Sequence, residues 1–357
     1  MKKLFLLGLL GIVVPITLAA ATPLPQLTFT ANEARLKQFY DDVNKLHQAP
    51  ETSFVSDDAK MVKGTERERM MIRMLLCSAL LIDEERYTPF EWAQLYTKAI
   101  QQQFFTTKKK TTDITRIERF DDVKQTTDRI LESIEEMTAG SQMEMNGYSE
   151  VSMSMNLYLA VLKSWMITNI QTRDAKGNAS PLPEKVREAL AMENDAWWKL
   201  TGKAVWYYDK CATNGEWYSM KPLENGWVVK QMCDRRIASL DLRIGYLLPD
   251  SPEAKMLQSY DGKVTGDERA RIQYLLDKRL LLTDKIAEYD NEEMPEETRE
   301  AAQNLSKAWG LFIGSLYKIA SSINNAGMPS VTSSAFIYDT GLYIDTLLTI
   351  NQGQAWE

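Results

Sequence analysis

Histidine is nearly absent from this sequence, which contains only His47 among 357 residues. A Ser-His-Asp triad would therefore need His47 as its base, and zinc sites built from several histidines are excluded. His47 lies at the predicted end of a helix, where a histidine commonly faces solvent. The sequence also lacks an EF-hand loop, a P-loop, a glycine-rich dinucleotide turn and a G-x-S-x-G elbow. These absences predict no metal, no cofactor and no catalytic residue.

Long apolar runs are missing as well. The run from Leu4 to Val14 is shorter than the roughly 20 residues that a membrane helix needs. It follows Lys2 and Lys3 and ends in small residues up to Ala21, which is the pattern of a signal peptide cleaved near Ala21. We therefore expect a periplasmic or secreted protein with no transmembrane span in its mature chain.

Basic residues are outnumbered, with 42 Lys and Arg against 49 Asp and Glu. Loss of Lys2 and Lys3 with the signal peptide would leave 40 basic residues and a net charge near −9. This balance argues against nucleic acid or anionic lipid as the main partner. It suits a cationic partner, although acidic residues also serve solubility alone.

Carboxylate pairs are abundant, but acids one or two residues apart on a helix do not face each other. Glycoside chemistry would need two acids that converge from separate elements. The adjacent pairs in this sequence are Glu135 with Glu136, Glu193 with Asp195, and Glu292 with Glu293.

Helical periodicity dominates the chain, with apolar residues at spacings of three and four. The pattern predicts an all-α multi-helix bundle with helices over about 32–48, 148–170, 223–246, 267–290, 295–325 and 333–350, and another starting near Pro183. Only Gly226-Trp227-Val228-Val229 could add a hairpin edge. We expect a signal peptide over 1–21, an N-terminal helical region over 22–140, a central unit over 141–246 and a C-terminal unit over 247–357.

One internal similarity joins the last two units. Leu182-Pro-Glu-Lys-Val-Arg-Glu-Ala lines up with Met294-Pro-Glu-Glu-Thr-Arg-Glu-Ala, and seven of nineteen positions match without gaps. A duplicated helical unit would produce this similarity, and so would convergence on the same helix-start chemistry.

Cysteine is scarce, with three residues in the chain. Cys77 lies on an apolar helix face, where a thiol behaves as a small hydrophobe. Export permits disulfides, and Asn-Gly turn formers lie between Cys211 and Cys233. These two cysteines are therefore candidates for a bridge that would staple the loop between two helices.

Aromatic residues are concentrated between residues 197 and 227. Aromatic side chains near the candidate bridge could form a surface that recognises a protein or a glycan, or could pack in the core. The candidate partner-binding residues are Trp206, Tyr207, Trp217 and Tyr218. The tryptophans in helical apolar stripes, and so predicted to lie in the core, are Trp165, Trp197 and Trp309.

Three segments resemble the signature of a known family. They are Gln142-Met-Glu-Met-Asn146, Met155-Asn156-Leu-Tyr158-Leu-Ala-Val-Leu162 and Leu190-Ala-Met-Glu-Asn-Asp-Ala196-Trp197. Over residues 142–203 the chain resembles the LprI-type lysozyme-inhibitor domain, a small helical module of exported bacterial proteins. The family has cysteines where this chain has Tyr148 and the segment ending at Lys203. The resemblance implies an exported helical module and a lysozyme-like partner.

These features favour an exported, non-enzymatic helical protein that binds an envelope partner, either a protein such as lysozyme or a glycan. One alternative is an envelope hydrolase that acts on glycan through converging carboxylates. The other is a purely structural envelope protein.

Overall fold

A computed structural model of the chain describes residues 33–48, 86–87, 91–93, 95–96, 124–125, 128, 131, 142–168, 170–173, 179–212, 221–248, 251–255, 268–328 and 333–352. These residues are 88% helical, which confirms the predicted all-α class. Across the described ranges, no helix has an apolar stretch long enough to cross a bilayer.

Seven α-helices carry the described architecture. They are α1 (Glu33–Gln48), α2 (Gln142–Thr168), α3 (Glu184–Tyr207), α4 (Lys221–Leu247), α5 (Glu268–Ala287), α6 (Glu296–Asn325) and α7 (Ser333–Asn351). A π-helical segment, Tyr208–Ala212, continues α3. Two short strands, β1 (Gln171–Arg173) and β2 (Ala179–Pro181), form an antiparallel hairpin between α2 and α3 with Thr172 opposite Ser180.

The predicted helix bounds hold to within one or two residues at most positions. Helix α2 is the main exception, because it begins six residues before the predicted start. Pro183 and Pro295 are the N-caps of α3 and α6, as expected of a residue that has no N–H to donate. Residues 226–229, which could at most have added a hairpin edge, lie inside α4 with Val228 and Val229 fully buried.

Helix α2 occupies the centre of the molecule. Residues 153–164 are all buried, so this helix is covered on every side, as an interior helix should be. Two of its buried hydroxyl groups bond to the backbone of the same helix. Ser164 donates to the carbonyl of Ala160 at 3.0 Å, and Thr168 donates to the carbonyl of Ser164 at 2.9 Å.

The N-terminal region packs onto this central helix through aromatic rings. Trp92 stacks on Tyr96, and the Tyr96 ring meets the Tyr158 ring of α2 edge-on with centroids 4.8 Å apart. Both Trp92 and Tyr96 are buried. The N-terminal region and the central unit therefore share one apolar core.

Helices pair across the central and C-terminal units. The ends of α3 and α6 are opposed, because Lys210 beyond α3 pairs with Glu297 at the start of α6 at 2.7 Å. Helices α2 and α4 run parallel. Lys163 pairs with Asp241 near their C-terminal ends, and Gly226 meets Ser149 near their N-terminal ends.

Gly226 explains how closely α2 and α4 approach. A Cβ at this position would lie well inside van der Waals contact with the Ser149 hydroxyl oxygen. The Asn-Gly pair at residues 225–226 was expected to form a turn. It lies instead within α4, where glycine is needed for close packing rather than for a bend.

The similar helices α3 and α6 are placed in similar environments. Their N-cap prolines have φ and ψ of −50° and 140° in α3 and −54° and 147° in α6. Equivalent apolar positions are buried in both, including Ala189 with Ala301 and Trp197 with Trp309. Glu193 is the main departure, since its equivalent is the buried Leu305. The duplication itself stays a prediction.

Candidate partner-binding face

The predicted aromatic surface is only partly found. Tyr207 is 1% exposed, and its hydroxyl donates to the side chain of Asn351. Its ring also meets that of Tyr289 edge-on, so its assignment as a partner-binding residue is wrong. Trp206 is half-buried, with the Lys203 ammonium 4.6 Å from its ring centroid. Trp217 and Tyr218 lie outside the described residues.

The predicted bridge between Cys211 and Cys233 is not formed, because both are buried free thiols. The Cys211 thiol donates to the Thr298 carbonyl of α6 at 3.7 Å, whereas Cys233 is enclosed within α4. Burial raises the pKa of Cys211 to about 12 and raises that of Cys233 as well. Both therefore act as small apolar residues. Trp197 and Trp309 are core residues as predicted, and the side chain of Trp165 lies outside the described residues.

A buried ion pair joins α3 to α4. Both Arg236 guanidinium Nη atoms donate to the two carboxylate oxygens of Glu193, with Nη2 to Oε2 at 2.6 Å. Neither residue is exposed. Arg236 also donates to the Ser164 hydroxyl of α2 at 3.3 Å, and its guanidinium carbon lies 5.3 Å from the Trp197 ring centroid. The Glu193 carboxylate predicted as half of an acid pair is therefore held by an arginine.

Arg243 extends this pair to α7. Its Nη1 donates to Asp339 at 2.6 Å, and its Nη2 lies 3.6 Å from Glu193. Burial opposes the charges of Arg236 and Arg243, but the nearby carboxylates outweigh it and raise the pKa of both. We call Glu193, Arg236, Arg243 and Asp339 the buried charge network. Its two cations and two anions cancel, so the network carries no net charge.

The exposed face of α6 combines apolar and acidic side chains. Leu311 and Tyr317 are 63% and 69% exposed, and a Cβ at Gly314 between them would meet nothing within 4 Å. Glu296 and Glu300, also exposed, occupy the same side of the helix nearer its N-terminus. The exposed Lys307 and Lys318 lie on this side as well, so any acidic excess comes from the neighbouring chain segment. We call Leu311, Gly314, Tyr317, Glu296 and Glu300 the α6 face. It has the composition of a protein interface, with large apolar anchors beside a charged rim.

The α6 face adjoins the most acidic surface segment described. Residues 288–300 contain seven carboxylates and one basic residue, Arg299. Only two of the acids are paired with a described cation, Glu288 with Lys285 and Glu297 with Lys210, both at 2.7 Å. Glu292 and Glu293, predicted as an adjacent acid pair, are exposed in this turn. The segment therefore presents a concentrated negative field to solvent.

Two acids from separate elements, Glu224 and Asp209, influence each other electrostatically. Glu224, in the first turn of α4, is 9% exposed, and its Oε2 has no hydrogen-bond partner among the described residues. Burial, and then the charge of Asp209 on the π-helical segment, raise the pKa of Glu224. The Tyr208 and Trp227 rings lie alongside, 5.9 Å apart. A buried acid with a raised pKa is what a general acid requires.

Sequence reasoning missed the buried charge network and this acid pair. The signal for the network was two arginines seven residues apart on an otherwise apolar stretch of α4, which places both on one helix face. Their partners are 43 and 96 residues away in sequence. Periodicity within one helix cannot supply such partners.

We predict that Glu193→Leu lowers the free energy of unfolding by about 3–5 kcal/mol, because it leaves Arg236 buried without its main partner. Arg236→Met should cost a similar amount. The double variant should cost much less than the sum, since both charges are then gone. Urea denaturation measures all three changes.

The matched control is Lys230→Ala, which breaks an exposed pair with Asp234 at 2.6 Å. Its cost should stay below about 1 kcal/mol. Additive losses in the double variant would contradict coupling between Glu193 and Arg236.

We predict that the native protein, in a Cys77→Ser background, reacts slowly with a thiol reagent. At pH 8, a pKa of about 12 leaves roughly one thiolate in ten thousand at Cys211. Cys233 is enclosed and should react no faster. In denaturant without a reductant, both thiols should react with the reagent. Recovery of fewer than two thiols would support the bridge instead.

Comparison with protein-family models, curated proteins and solved structures finds no match to this chain. The resemblance to the LprI-type domain therefore stays a prediction. The features with chemical consequences are the α6 face, the acidic segment beside it and the acid pair at Glu224.

Proposed function

We propose that this chain is an exported, non-enzymatic helical protein that binds a cationic protein partner through the α6 face, and that the partner class is lysozyme-like enzymes. The observation that carries this proposal is the position of two exposed apolar anchors of α6 beside the acidic segment 288–300, where five of the seven carboxylates pair with no described cation. The signal-peptide pattern and the LprI-type resemblance support a partner in the same compartment.

On this surface, the charged and the apolar residues are expected to affect different rate constants of binding. Carboxylates along residues 288–300 would steer a cationic partner and speed association, an effect that salt screens. Leu311 and Tyr317 would supply the apolar contact that slows dissociation, because interface energy concentrates in a few large side chains. The bound surface would then be acidic at its rim and apolar at its centre.

We predict that excess purified protein slows cell-wall lysis by cationic lysozymes. Leu311→Glu should weaken the inhibition about tenfold or more, the loss expected when a central interface anchor is replaced by a charge. Glu296→Lys with Glu300→Lys should mainly slow association at low salt. Lysis rates and surface plasmon resonance measure these effects.

The matched control is Leu280→Glu, which places the same charge at a similarly exposed leucine of α5 and should leave inhibition unchanged. Succinylated lysozyme, which has lost its positive charge, should bind poorly. Unchanged lysis across a lysozyme panel at saturating protein would refute the lysozyme-directed proposal.

An envelope hydrolase is a second candidate, favoured by the interacting acids Glu224 and Asp209. Glu224 would act as the general acid and Asp209 as the second carboxylate of a glycoside hydrolase. The half-buried Trp227 ring, one helical turn from Glu224, would supply a platform for a sugar, whereas Tyr208 is buried behind it.

We predict for this second candidate that peptidoglycan fragments are cleaved by the wild-type protein and not by Glu224→Gln, with Glu188→Gln as the exposed control on α3. Mass spectrometry detects the products. The raised pKa gives an independent readout. Ionising Glu224 costs folding free energy as pH rises above its ordinary pKa of about 4, so Glu224→Gln should be the more stable protein at pH 7. Cleavage that survives in Glu224→Gln would exclude this role.

A further inference from the structure

Helix α5 leaves a regular row of residues uncovered. Leu276 and Leu280 are 44% and 61% exposed, although Leu282 and Ile286 of the same helix are buried against the protein. With the exposed Thr283 and Ala287, the two leucines recur at spacings of four, three and four. This is the spacing of the contact positions in a two-stranded coiled coil. We call Leu276, Leu280, Thr283 and Ala287 the α5 seam.

The polar group within the α5 seam is already satisfied. The Thr283 hydroxyl donates to the carbonyl of Arg279 at 2.9 Å, so its methyl group is left for contact. Burying this residue would therefore leave no hydrogen-bonding group without a partner. The α5 seam can be covered by another helix at little polar cost.

Opposite charges lie on the two flanks of the α5 seam. Arg279 is on one flank, and Asp277 and Asp284 are on the other, as their positions around the helix require. Arg279 and Asp284 are exposed, and neither forms an ion pair among the described residues. Asp277 accepts a hydrogen bond from Gln273 at 2.8 Å.

These charges make α5 complementary to itself in one orientation. In a parallel helix pair, a flanking residue faces the residue five positions later on the other helix. Arg279 of each copy would then face Asp284 of the other, giving two ion pairs. In an antiparallel pair centred on the α5 seam, like flanks would face each other. Asp277 of one copy would then lie near Asp284 of the other, which is repulsive, and Arg279 would have no acidic partner.

We propose that a second copy of this chain docks on the α5 seam, with the two α5 helices parallel and Arg279 of each paired with Asp284 of the other. Leu276 and Leu280 supply the apolar contact, and the ion pairs set the orientation. This surface lies on a different helix from the α6 face, so dimer formation and partner binding use separate residues.

The test is sedimentation equilibrium of the purified protein from micromolar to millimolar concentration. Wild-type protein should show a reversible monomer–dimer equilibrium, and Leu280→Glu should weaken it about tenfold or more. Leu311→Glu, an equally exposed change on α6, should leave it unchanged. Circular dichroism checks that each variant retains its helices.

Charge reversal tests the orientation. Arg279→Asp and Asp284→Arg should each weaken the dimer severalfold, because each sets like charges against one another. The variant that carries both changes should recover the wild-type affinity, since the pairs are restored with their signs exchanged. A dimer insensitive to Leu280→Glu, or a double variant no better than the singles, would overturn the proposal. So would a wild-type protein that stays monomeric near 1 mM, or that associates through α5 only with another protein or with lipid vesicles.

Loss of dimer formation and loss of lysozyme inhibition are distinguishable. Leu280→Glu should affect only the dimer, and Leu311→Glu should affect only the inhibition. The dimer proposal can therefore fail while the lysozyme-binding proposal stands, and the reverse also holds.

Discussion

The buried ion pair between Glu193 and Arg236 constrains how α3 can pack on α4. Removing two charges from water costs several kcal/mol per ion, and only close, well-directed contact offsets that cost. A slide of either helix by one turn would separate the two groups. Arg243 and Asp339 place the same demand on α7. The charges lie where two apolar clusters meet, one containing Trp197 and the other Leu190.

This fixed interior contrasts with the outer faces of α5 and α6. Each helix buries one stripe and exposes large apolar residues on the other, which a soluble surface usually avoids in contiguous patches. On α6 these residues lie beside carboxylates, and on α5 they lie between charges of opposite sign. The core therefore positions two chemically distinct surfaces on neighbouring helices, one suited to a cationic partner and one suited to a copy of itself.

Much of the fold could be predicted from the sequence, because amphipathic periodicity and prolines are local signals. Helix α6 shows this, since Pro295 marks its start and the stripe through Trp309 marks its buried side. The Cys211–Cys233 bridge and the exposure of Tyr207 depend on which helices approach from elsewhere in the chain, so local patterns misjudged both. The α6 face was missed for the same reason, because exposure of Leu311 is a property of the packed molecule.

Helices α3 and α6 have similar sequence patterns, since both follow an N-cap proline and bury matching positions. Two such helices could exchange places and produce a misassembled core. The difference between Glu193 and Leu305 removes this ambiguity. If α3 and α6 exchanged places, Leu305 would lie against Arg236, and Glu193 would have no partner. Leaving these charges buried and unpaired would strongly destabilise the misassembled core. The single carboxylate of Glu193 therefore favours the native placement of α3 and α6 over the exchanged one.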